Sequence, residues 1–316
     1  MCNRGCSVAI ENNAPPGLLN LNKPAGMTSR DVVNQVVRAL RRQLPKPLKL
    51  PKAGHAGTLD PMASGVLVVG VGAAVRLVPY LHQLVKRYRA TFRLGQSSVS
   101  GDLETPLVAQ PNPPQPSRAE LLAAASRLVG HIQQTPPAHS AVKVDGRKAY
   151  KFAHRGQAVE VPQRTVWVES LTIDRYASPE VDLRISCGSG TYIRTLGIDL
   201  AAACGCRAVM THLVRTHIGH FSLDDAIAPQ RLMDDGPQRW LHPLADGVRH
   251  LPAVTLDDEP LRRLANGVAL PMPADRSISG SGDDGWAVFD RAGNLWAIAR
   301  PHRHQLRPYR VFRPAT

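Results

Sequence analysis

The sequence lacks any long hydrophobic run. None of its stretches approaches the roughly 18 uninterrupted apolar residues that a membrane-spanning helix requires. Its first residues, Met-Cys-Asn-Arg-Gly-Cys-Ser, also lack the apolar segment of a secretory signal. These absences argue against a membrane protein and against a secreted one, and they predict a cytoplasmic location. We expect residues 1–16 to form a loose tail.

Cysteine is scarce as well, with five residues in 316. The five thiols form neither an even set for disulfides nor two Cys-x-x-Cys zinc knuckles. They are Cys2, Cys6, Cys187, Cys204 and Cys206. We therefore expect buried free thiols and no metal site.

Acidic residues are few relative to basic ones. The 25 Asp and Glu residues stand against 39 Lys and Arg, which gives a net charge of +14 and a pI near 10.1. Such a balance suits a polyanionic partner such as a nucleic acid. A basic surface can also serve only to keep a protein dissolved, so the charge alone does not decide between the two interpretations. The length predicts one large domain and a smaller one.

Periodicity predicts three helices in the first 250 residues. Thr28 and Asp31 form a capping box in front of apolar residues at helical spacing. Ser117 and Glu120 do the same for a second helix. A third helix is predicted from residue 192 to residue 204, directly after a glycine-rich turn.

The sequence also predicts three strands in this part of the chain. The apolar run Gly65-Val-Leu-Val-Val-Gly70 is typical of a buried strand, and residues 181–187 alternate. Residues 87–94 alternate strictly, with Tyr88 among the apolar residues on one face. The other face carries Arg87, Arg89, Thr91 and Arg93. We expect the apolar side to face the core and the arginine side to be available to phosphates.

The pattern changes between residues 246 and 252. Beyond this point come a short predicted helix and several short strand-like runs, separated by Gly, Asp and Pro. Such runs are typical of a small all-β module of about sixty residues.

The densest chemical signal is the segment Gly54-His-Ala-Gly-Thr-Leu-Asp-Pro-Met-Ala-Ser-Gly65. Its glycines permit close approach of the backbone, and Pro61 favours an extended conformation at Asp60. Asp60 is therefore predicted to lie in the loop that leads into a buried strand. The spacing leaves two interpretations open, a functional carboxylate or an ordinary tight turn in which Asp60 caps a helix.

Four segments carry a resemblance to a known family. They are Gly17-Leu-Leu-Asn-Leu-Asn-Lys-Pro-Ala-Gly-Met-Thr-Ser29, the segment from Gly54 to Leu67, Lys86-Arg-Tyr-Arg-Ala-Thr-Phe-Arg-Leu-Gly-Gln96 and Gly190-Thr-Tyr-Ile-Arg-Thr195. In this order they resemble the successive motifs of the bacterial tRNA pseudouridine-55 synthase family, TruB, over roughly residues 17 to 245. The resemblance implies an α+β pseudouridine synthase fold with a mixed, largely antiparallel central sheet. It also implies an enzyme that flips uridine 55 out of the T-loop of tRNA and isomerises it to pseudouridine.

This reaction sets clear chemical needs. It breaks the N1–C1′ bond and rejoins the base through C5 without net oxidation or hydrolysis, so we expect neither a metal nor a cofactor. A carboxylate is needed, either as nucleophile on the nucleotide or as base on the ribose, and the two routes remain open. The family's catalytic aspartate matches Asp60. Tyr88 matches the tyrosine that stacks on the flipped base, although the strand pattern fits a core aromatic equally well.

The other implied site residues come from the same motifs. Arg194 matches the arginine that pairs with the catalytic aspartate and aims it, where a lone arginine would be a phosphate contact or a surface charge. His55, Tyr192 and Leu213 match residues that contact the target nucleotide. For His55 a structural loop histidine remains the alternative. Asp102 matches an acidic residue that contacts the target or its neighbours.

The chain departs from the family pattern in three places. Thr105-Pro106 stands where the family tends to have glycine, and His139 stands where a tyrosine is typical. The stretch from Gln43 to Lys52 is longer than in the commoner versions, and the sequence assigns it no role.

The resemblance also divides the chain into residues 17–249, the catalytic domain, and residues 250–316, a PUA-like RNA-binding β-barrel. The alternative for the second part is a generic β module that only packs on the first. The expected partner is tRNA, bound through its T-arm, and we expect a monomer with no membrane association and no obligatory protein partner.

Two rival functions share the expected fold. A non-catalytic RNA chaperone would have no need of Asp60, Tyr88 and Arg194 together. An RNA-guided synthase, which acts inside a ribonucleoprotein, is less consistent with the absence of Lys-rich tails and with the bacterial-type central insertion.

The charge predicts that binding of tRNA is strongly salt-dependent. Because Lys and Arg release condensed counterions from each phosphate that they neutralise, log K should fall linearly with log salt concentration, by about 0.7 to 0.9 per phosphate. Fluorescence anisotropy at several salt concentrations measures the slope. An affinity that is independent of salt would contradict an electrostatic RNA-binding surface.

Overall fold

The computed structural model describes residues 15–44, 50–137, 161–272 and 285–312, and the backbone of residues 143–144 and 147–148. Four sequence-based expectations fall at least partly outside these ranges. They are the loose tail expected over residues 1–16, of which 1–14 lie outside, residues 45–49 of the long stretch from Gln43 to Lys52, His139, and the thiols of Cys2 and Cys6.

Strands and helices alternate irregularly along the described ranges. The strands are β1 Gly17–Lys23, β2 Ala53–His55, β3 Ser64–Val71, β4 Lys86–Leu94, β5 Gln96–Ser97, β6 Val108–Ala109, β7 Gly130–Gln134, β8 Lys143–Val144, β9 Arg147–Lys148, β10 Arg164–Ala177, β11 Glu180–Cys187, β12 Ala208–Ile218, β13 Phe221–Ser222, β14 Ala253–Thr255, β15 Leu270–Pro271, β16 Trp286–Phe289, β17 Leu295–His302 and β18 Gln305–Val311. The α-helices are α1 Ser29–Gln43, α2 Val78–Gln83, α3 Arg118–Ser126, α4 Ile193–Ala202, α5 Arg231–Asp234 and α6 Asp258–Ala265. Short 3₁₀ helices span Gly72–Leu77, Pro237–Trp240 and Leu244–Val248.

The larger sheet has nine strands and runs in the order β1-β3-β12-β4-β11-β10-β7, with β2 beside β3 and β13 beside β12. Its pairings are antiparallel except for β3 with β12. This confirms the predicted mixed, largely antiparallel sheet. At the parallel pairing, Gly65 has a φ of +106°, and a Cβ at this position would overlap with the main chain of Arg215. Glycine is therefore required for β3 and β12 to meet.

Helix α1 covers the β1–β3 end of this sheet. Its predicted capping box is present, because Thr28 and Asp31 each bond to the main-chain N–H of the other. The apolar face packs on the two strands through a buried cluster of Leu19, Leu21, Val32, Val33, Val36, Leu40, Leu67 and Val69. Each fully buried side chain of this kind stabilises the fold by about 1.5 to 3 kcal/mol relative to exposure.

Helices α3 and α4 cover the β4–β11–β10 part of the same sheet. The cluster between them includes Tyr88, Phe92, Leu183, Ile185 and Leu196. Helix α4 was predicted over residues 192–204 and extends from 193 to 202. Its start therefore lies beside the strands that carry the expected site residues.

The alternation of strand β4 is confirmed, because Arg87 and Arg89 are exposed while Tyr88 is buried. The arginine face, however, points away from α3, α4 and the Asp60 loop. Neighbouring side chains on this outer face form ion pairs, such as Arg93 with Glu180 at 3.5 Å. Successive side chains of a strand point to opposite faces of the sheet, so arginines that alternate with Tyr88 cannot line the same cleft as it does.

The C-terminal residues form a second sheet of five strands in the order β14-β16-β17-β18-β15, curled into a half-barrel as expected for a PUA-like domain. It has its own apolar core, which helix α6 joins through Leu261 and Leu264. A further cluster includes Leu77 and Tyr80 of the larger unit together with Phe312 of the smaller one. The two units are therefore in apolar contact.

Two other sequence-based expectations concern thiols and membranes. Cys187 and Cys206 are buried free thiols, as predicted, and Cys204 is half-buried. Of the helices in the described part of the chain, none combines the length and the apolar character needed to cross a membrane.

Gly197 of helix α4 provides a test of the packing against β4. A Cβ at this position would overlap with the fully buried ring of Phe92. Gly197→Ala should therefore lower the free energy of unfolding by about 1 to 3 kcal/mol, although alanine is the better helix former by about 1 kcal/mol. Urea denaturation measures the loss. Adding Phe92→Leu should restore part of it, and a single variant as stable as the native protein would contradict this packing.

Candidate active site

Asp60 lies in the loop between β2 and β3. The main chain turns here, with the Ala63 N–H donating to the Asp60 carbonyl at 3.1 Å, and then enters the buried strand β3. No described helix begins at Asp60, so the interpretation of this residue as a helix cap is wrong. Its side chain is 32% exposed and points towards α4.

Two side chains from outside the loop fix its backbone. The Ser29 hydroxyl accepts from the Leu59 N–H at 2.9 Å and donates to the Leu59 carbonyl at 3.2 Å. Lys23 is fully buried, and its ammonium group donates to the carbonyls of Met27 at 2.5 Å and of Pro61 at 3.2 Å. The residues on both sides of Asp60 are therefore held in place. Burial lowers the pKa of Lys23 to about 8, although nearby Asp60 acts in the opposite direction.

Arg194, in the first turn of α4, binds Asp60 directly. Its Nη2 lies 2.5 Å from Oδ2 of Asp60, although 134 residues separate the two in sequence. Its Nη1 donates to the Ser100 carbonyl at 2.5 Å and lies 3.3 Å from Oδ2 of Asp102. The guanidinium is only 4% exposed, so the ion pair consists of a buried cation and a carboxylate that still reaches solvent.

Asp102 is completely buried beneath Arg194. Its other oxygen, Oδ1, accepts from the Ser100 hydroxyl at 2.6 Å and from the Glu104 N–H at 3.0 Å. Asp102 was expected to contact the target nucleotide, but here it offers no exposed side-chain surface and contacts the arginine. Thr105 accepts from the Ser100 N–H at 3.0 Å through its hydroxyl and so helps to order this loop.

Gly101 shows how closely this loop approaches α4. It has a φ of +75°, and a Cβ would lie 3.0 Å from Cδ of Arg194 and 2.9 Å from Cδ1 of Ile198. A side chain here would push the loop away from the guanidinium.

Tyr88 lies on the site side of β4 and is 8% exposed. Burial raises the pKa of its phenol, and Arg215 opposes this rise. The hydroxyl is therefore protonated at neutral pH and suited to donate a hydrogen bond. Leu213 is also on this side, because it is paired with Ala90 in the β4–β12 ladder, and it is 7% exposed.

The remaining predicted residues border the same region. His55 is the last residue of β2, half-buried, at the start of the Asp60 loop. Tyr192 is the N-cap residue of α4, two positions before Arg194, and the Arg164 guanidinium lies 4.8 Å from the centre of its ring. The structure therefore brings Asp60, Tyr88 and Arg194 together, with the nucleotide-contact candidates around them.

Sequence reasoning missed the supporting residues Lys23, Ser29, Ser100 and Arg215. Arg215 is 2% exposed and donates to the carbonyls of Val66 at 2.7 Å and of Gly57 at 3.0 Å, so it supports the loop from below. Lys23 and Ser29 lie inside the first of the recognised motifs, but no periodicity marks a side chain that binds a distant carbonyl.

Comparisons with known proteins identify the family of this chain. The family model described as TruB family pseudouridylate synthase (N terminal domain) matches residues 45–193. A protein of Rhodopirellula baltica named tRNA pseudouridine synthase B is 40% identical, and the alignment covers 95% of each chain. The present chain belongs to the TruB family. A TruB relative of the same name from Ruegeria pomeroyi is 38% identical over 94% of this chain and 95% of that protein.

A solved structure supports the same conclusion for the fold. A chain of the structure described as a Cbf5-Nop10-Gar1 complex is similar with a TM-score of 0.70 at 25% identity, covering 94% of this chain and 85% of that chain. As a TruB family member the protein is a pseudouridine synthase, and therefore an isomerase. The prediction of an enzyme is confirmed, and the rival interpretation as a non-catalytic RNA chaperone is not supported.

In the part of the chain that the structure describes, no cluster of three or more His, Cys, Asp or Glu side chains is arranged to hold a metal ion. The functional groups that do converge are a carboxylate, a guanidinium and a phenol.

Ser29 tests how strongly activity depends on the backbone of the Asp60 loop. Ser29→Ala would leave the buried N–H and carbonyl of Leu59 without this hydrogen-bond partner. Each unsatisfied group should lower the free energy of unfolding by about 1 to 3 kcal/mol. We expect lower stability in urea and slower pseudouridine formation, because Asp60 follows Leu59 directly. Ser126→Ala is the control, since Ser126 makes an exposed bond to the Ala123 carbonyl at 2.8 Å. Equal activity of the two variants would contradict this role for Ser29.

Proposed function

We propose that this protein isomerises uridine 55 in the T-loop of tRNA to pseudouridine, with Asp60 as the essential carboxylate. The observation that carries the proposal is the Asp60–Arg194 pair, in which the arginine is buried and the carboxylate reaches solvent. A carboxylate that a buried arginine holds in place, and that still reaches solvent, can contact a substrate directly.

In the proposed reaction the N1–C1′ bond breaks, the base turns over, and a C5–C1′ bond forms. C5 loses its proton and N1 gains one, so atoms and electrons balance without an external reactant. Asp60 either attacks the nucleotide and is later displaced, or removes a proton from the ribose and returns it. Both routes need a basic carboxylate oxygen in a fixed position, which Arg194 supplies by holding the other end of the group.

The residues around the pair are proposed to hold the flipped nucleotide. The ring of Tyr88 stacks on the base, and its protonated hydroxyl is a donor during the proton transfers. His55, Tyr192 and Leu213 contact the nucleotide and its neighbours, since a base taken out of folded RNA needs a pocket and a filler for the gap that it leaves. Asp102 is proposed to act indirectly, by orienting Arg194 rather than by contacting the nucleotide.

The substrate assignment rests on the relatives. Those named tRNA pseudouridine synthase B are up to 40% identical to this chain, whereas the Cbf5 complex chain is 25% identical. We therefore propose a stand-alone, monomeric, cytoplasmic enzyme without obligatory protein partner or cofactor, rather than an RNA-guided one. Residues 17–249 are proposed as the catalytic domain.

The C-terminal unit, residues 250–316, is proposed to add affinity for tRNA. Asp290 is the last acidic residue of the sequence, and Arg300, Arg303, Arg307 and Arg310 all follow it. A surface rich in arginine and free of acidic residues in its own strands favours phosphate binding over simple packing.

Asp60→Asn is expected to abolish pseudouridine formation while tRNA binding is preserved. Asparagine has nearly the same shape and removes only the charge and the basic oxygen, so the rate should fall by at least about 10² to 10⁴-fold. Tritium release from C5-labelled tRNA under single-turnover conditions measures the rate. Arg194→Ala should share most of the defect, whereas Tyr88→Phe keeps the ring and reports the contribution of the hydroxyl.

The matched control is Asp182→Asn. Asp182 also pairs with an arginine, Arg175, at 2.7 Å, but on the outer face of the sheet. This variant should retain native activity. Appreciable turnover by Asp60→Asn, in a preparation shown by mass spectrometry to be free of deamidation, would refute the proposed mechanism.

A further inference from the structure

Strands β7 and β10 carry two side chains to which no role has been assigned above. Gln134 and Arg164 are direct partners in the β7–β10 ladder. Both reach across to residues 190–192, which lead into helix α4. The end of the sheet farthest from β1 is thus connected to the site.

Gln134 binds Tyr192 through both ends of its amide. Its Oε1 accepts from the Tyr192 N–H at 2.7 Å, and its Nε2 donates to the Tyr192 carbonyl at 3.1 Å. The residue is 1% exposed, so its amide cannot exchange these bonds for water without disturbing the fold. The paired bonds hold the backbone of Tyr192 much as a neighbouring strand would.

Arg164 holds the other parts of the same segment. Its guanidinium lies 4.8 Å from the centre of the Tyr192 ring, in cation–π contact, and its Nη2 donates to the Gly190 carbonyl. Gly190 has a φ of +88°, so the turn before Tyr192 depends on a conformation that other residues rarely adopt. Backbone and ring of Tyr192 are therefore fixed from two adjacent strands.

The position of Tyr192 affects two parts of the site. The Tyr192 carbonyl also accepts the first hydrogen bond of α4, from the Leu196 N–H at 3.1 Å, and Arg194 lies in that turn. We infer that Gln134 and Arg164 are positioning residues, which orient the Tyr192 ring towards the flipped nucleotide and set the start of α4 so that Arg194 aims Asp60. This inference rests on the proposed function of the site.

The first test compares two glutamines of the same strand. Gln134→Leu removes both bonds to Tyr192, whereas Gln133→Leu removes an exposed bond to the Thr165 hydroxyl at 2.9 Å and leaves Tyr192 untouched. At saturating tRNA, the single-turnover rate should fall at least about tenfold in Gln134→Leu and less than about twofold in Gln133→Leu. The Kd for tRNA should stay within about threefold in both, because phosphate contacts elsewhere dominate binding.

Gln134→Glu provides a second variant if Gln134→Leu does not fold. Its carboxyl still accepts from the Tyr192 N–H but places an oxygen against the carbonyl, so a rate between those of the native protein and Gln134→Leu is expected. The inference is overturned if the folded Gln134 variants react as fast as Gln133→Leu. It is also overturned if they change only the Kd, which would indicate a direct RNA contact.

The second test asks whether Arg164 acts through the tyrosine ring. Arg164→Ala should slow the single-turnover rate by about two- to fivefold in the native background, as expected for one exposed cation–π contact. In a Tyr192→Leu background the same substitution should have a smaller effect, because the contact with the ring is already absent and only the bond to the Gly190 carbonyl is lost. Equal effects in the two backgrounds would overturn the assignment for Arg164.

Failure of this inference and failure of the proposed function give different results. If Asp60→Asn is inactive while the Gln134 and Arg164 variants react normally, only the positioning role is wrong. If Asp60→Asn itself reacts normally, the proposed site is wrong, whatever the Gln134 variants do.

Discussion

The buried guanidinium of Arg194 is the constraint on which the rest of the site depends. A charged group held away from water is costly unless opposite charge and hydrogen bonds compensate for the lost hydration. Here Asp60, Asp102 and the Ser100 carbonyl surround it. Of the two carboxylates, Asp102 is fully buried and Asp60 is 32% exposed, so only Asp60 is available to a substrate. One cation therefore holds two acids, a buried one that supports it and an exposed one that we propose as the reactive group.

Buried polar side chains hold the Asp60 loop in this arrangement. Lys23 and Ser29 fix the backbone on either side of Asp60, and Arg215 supports Gly57 from the strand beneath. Each of these groups bonds to main-chain atoms of a distant segment, so the loop geometry is set by the fold and not by the loop's own sequence. A carboxylate held in this way needs little rearrangement at the moment of reaction.

The exposed arginines of β4 do not lie on the face of the sheet that carries Tyr88. Arg87 and Arg89 lie on the outer face of the sheet, where neighbouring arginines pair with Asp174, Glu180 and Asp182. The C-terminal strands, in contrast, carry arginines without acidic neighbours in sequence. We therefore propose that the chemistry and the electrostatic attraction of RNA belong to different surfaces of the molecule, which suits a substrate much larger than the atoms that react.

The sequence by itself determined the capped helix α1, the buried strand β3, the alternation of β4 and the C-terminal β module, because caps and hydrophobic periods are local signals. Its resemblance to a family also named Asp60, Tyr88 and Arg194. Only the tertiary structure decided that Asp102 is buried under Arg194, that the arginines of β4 face away from the cleft, and that Ser29, Lys23 and Gln134 hold site segments. Those facts depend on contacts between residues far apart in the chain, such as Asp60 and Arg194, which are separated by 134 positions. No local sequence pattern indicates which distant main-chain group a polar side chain will bind.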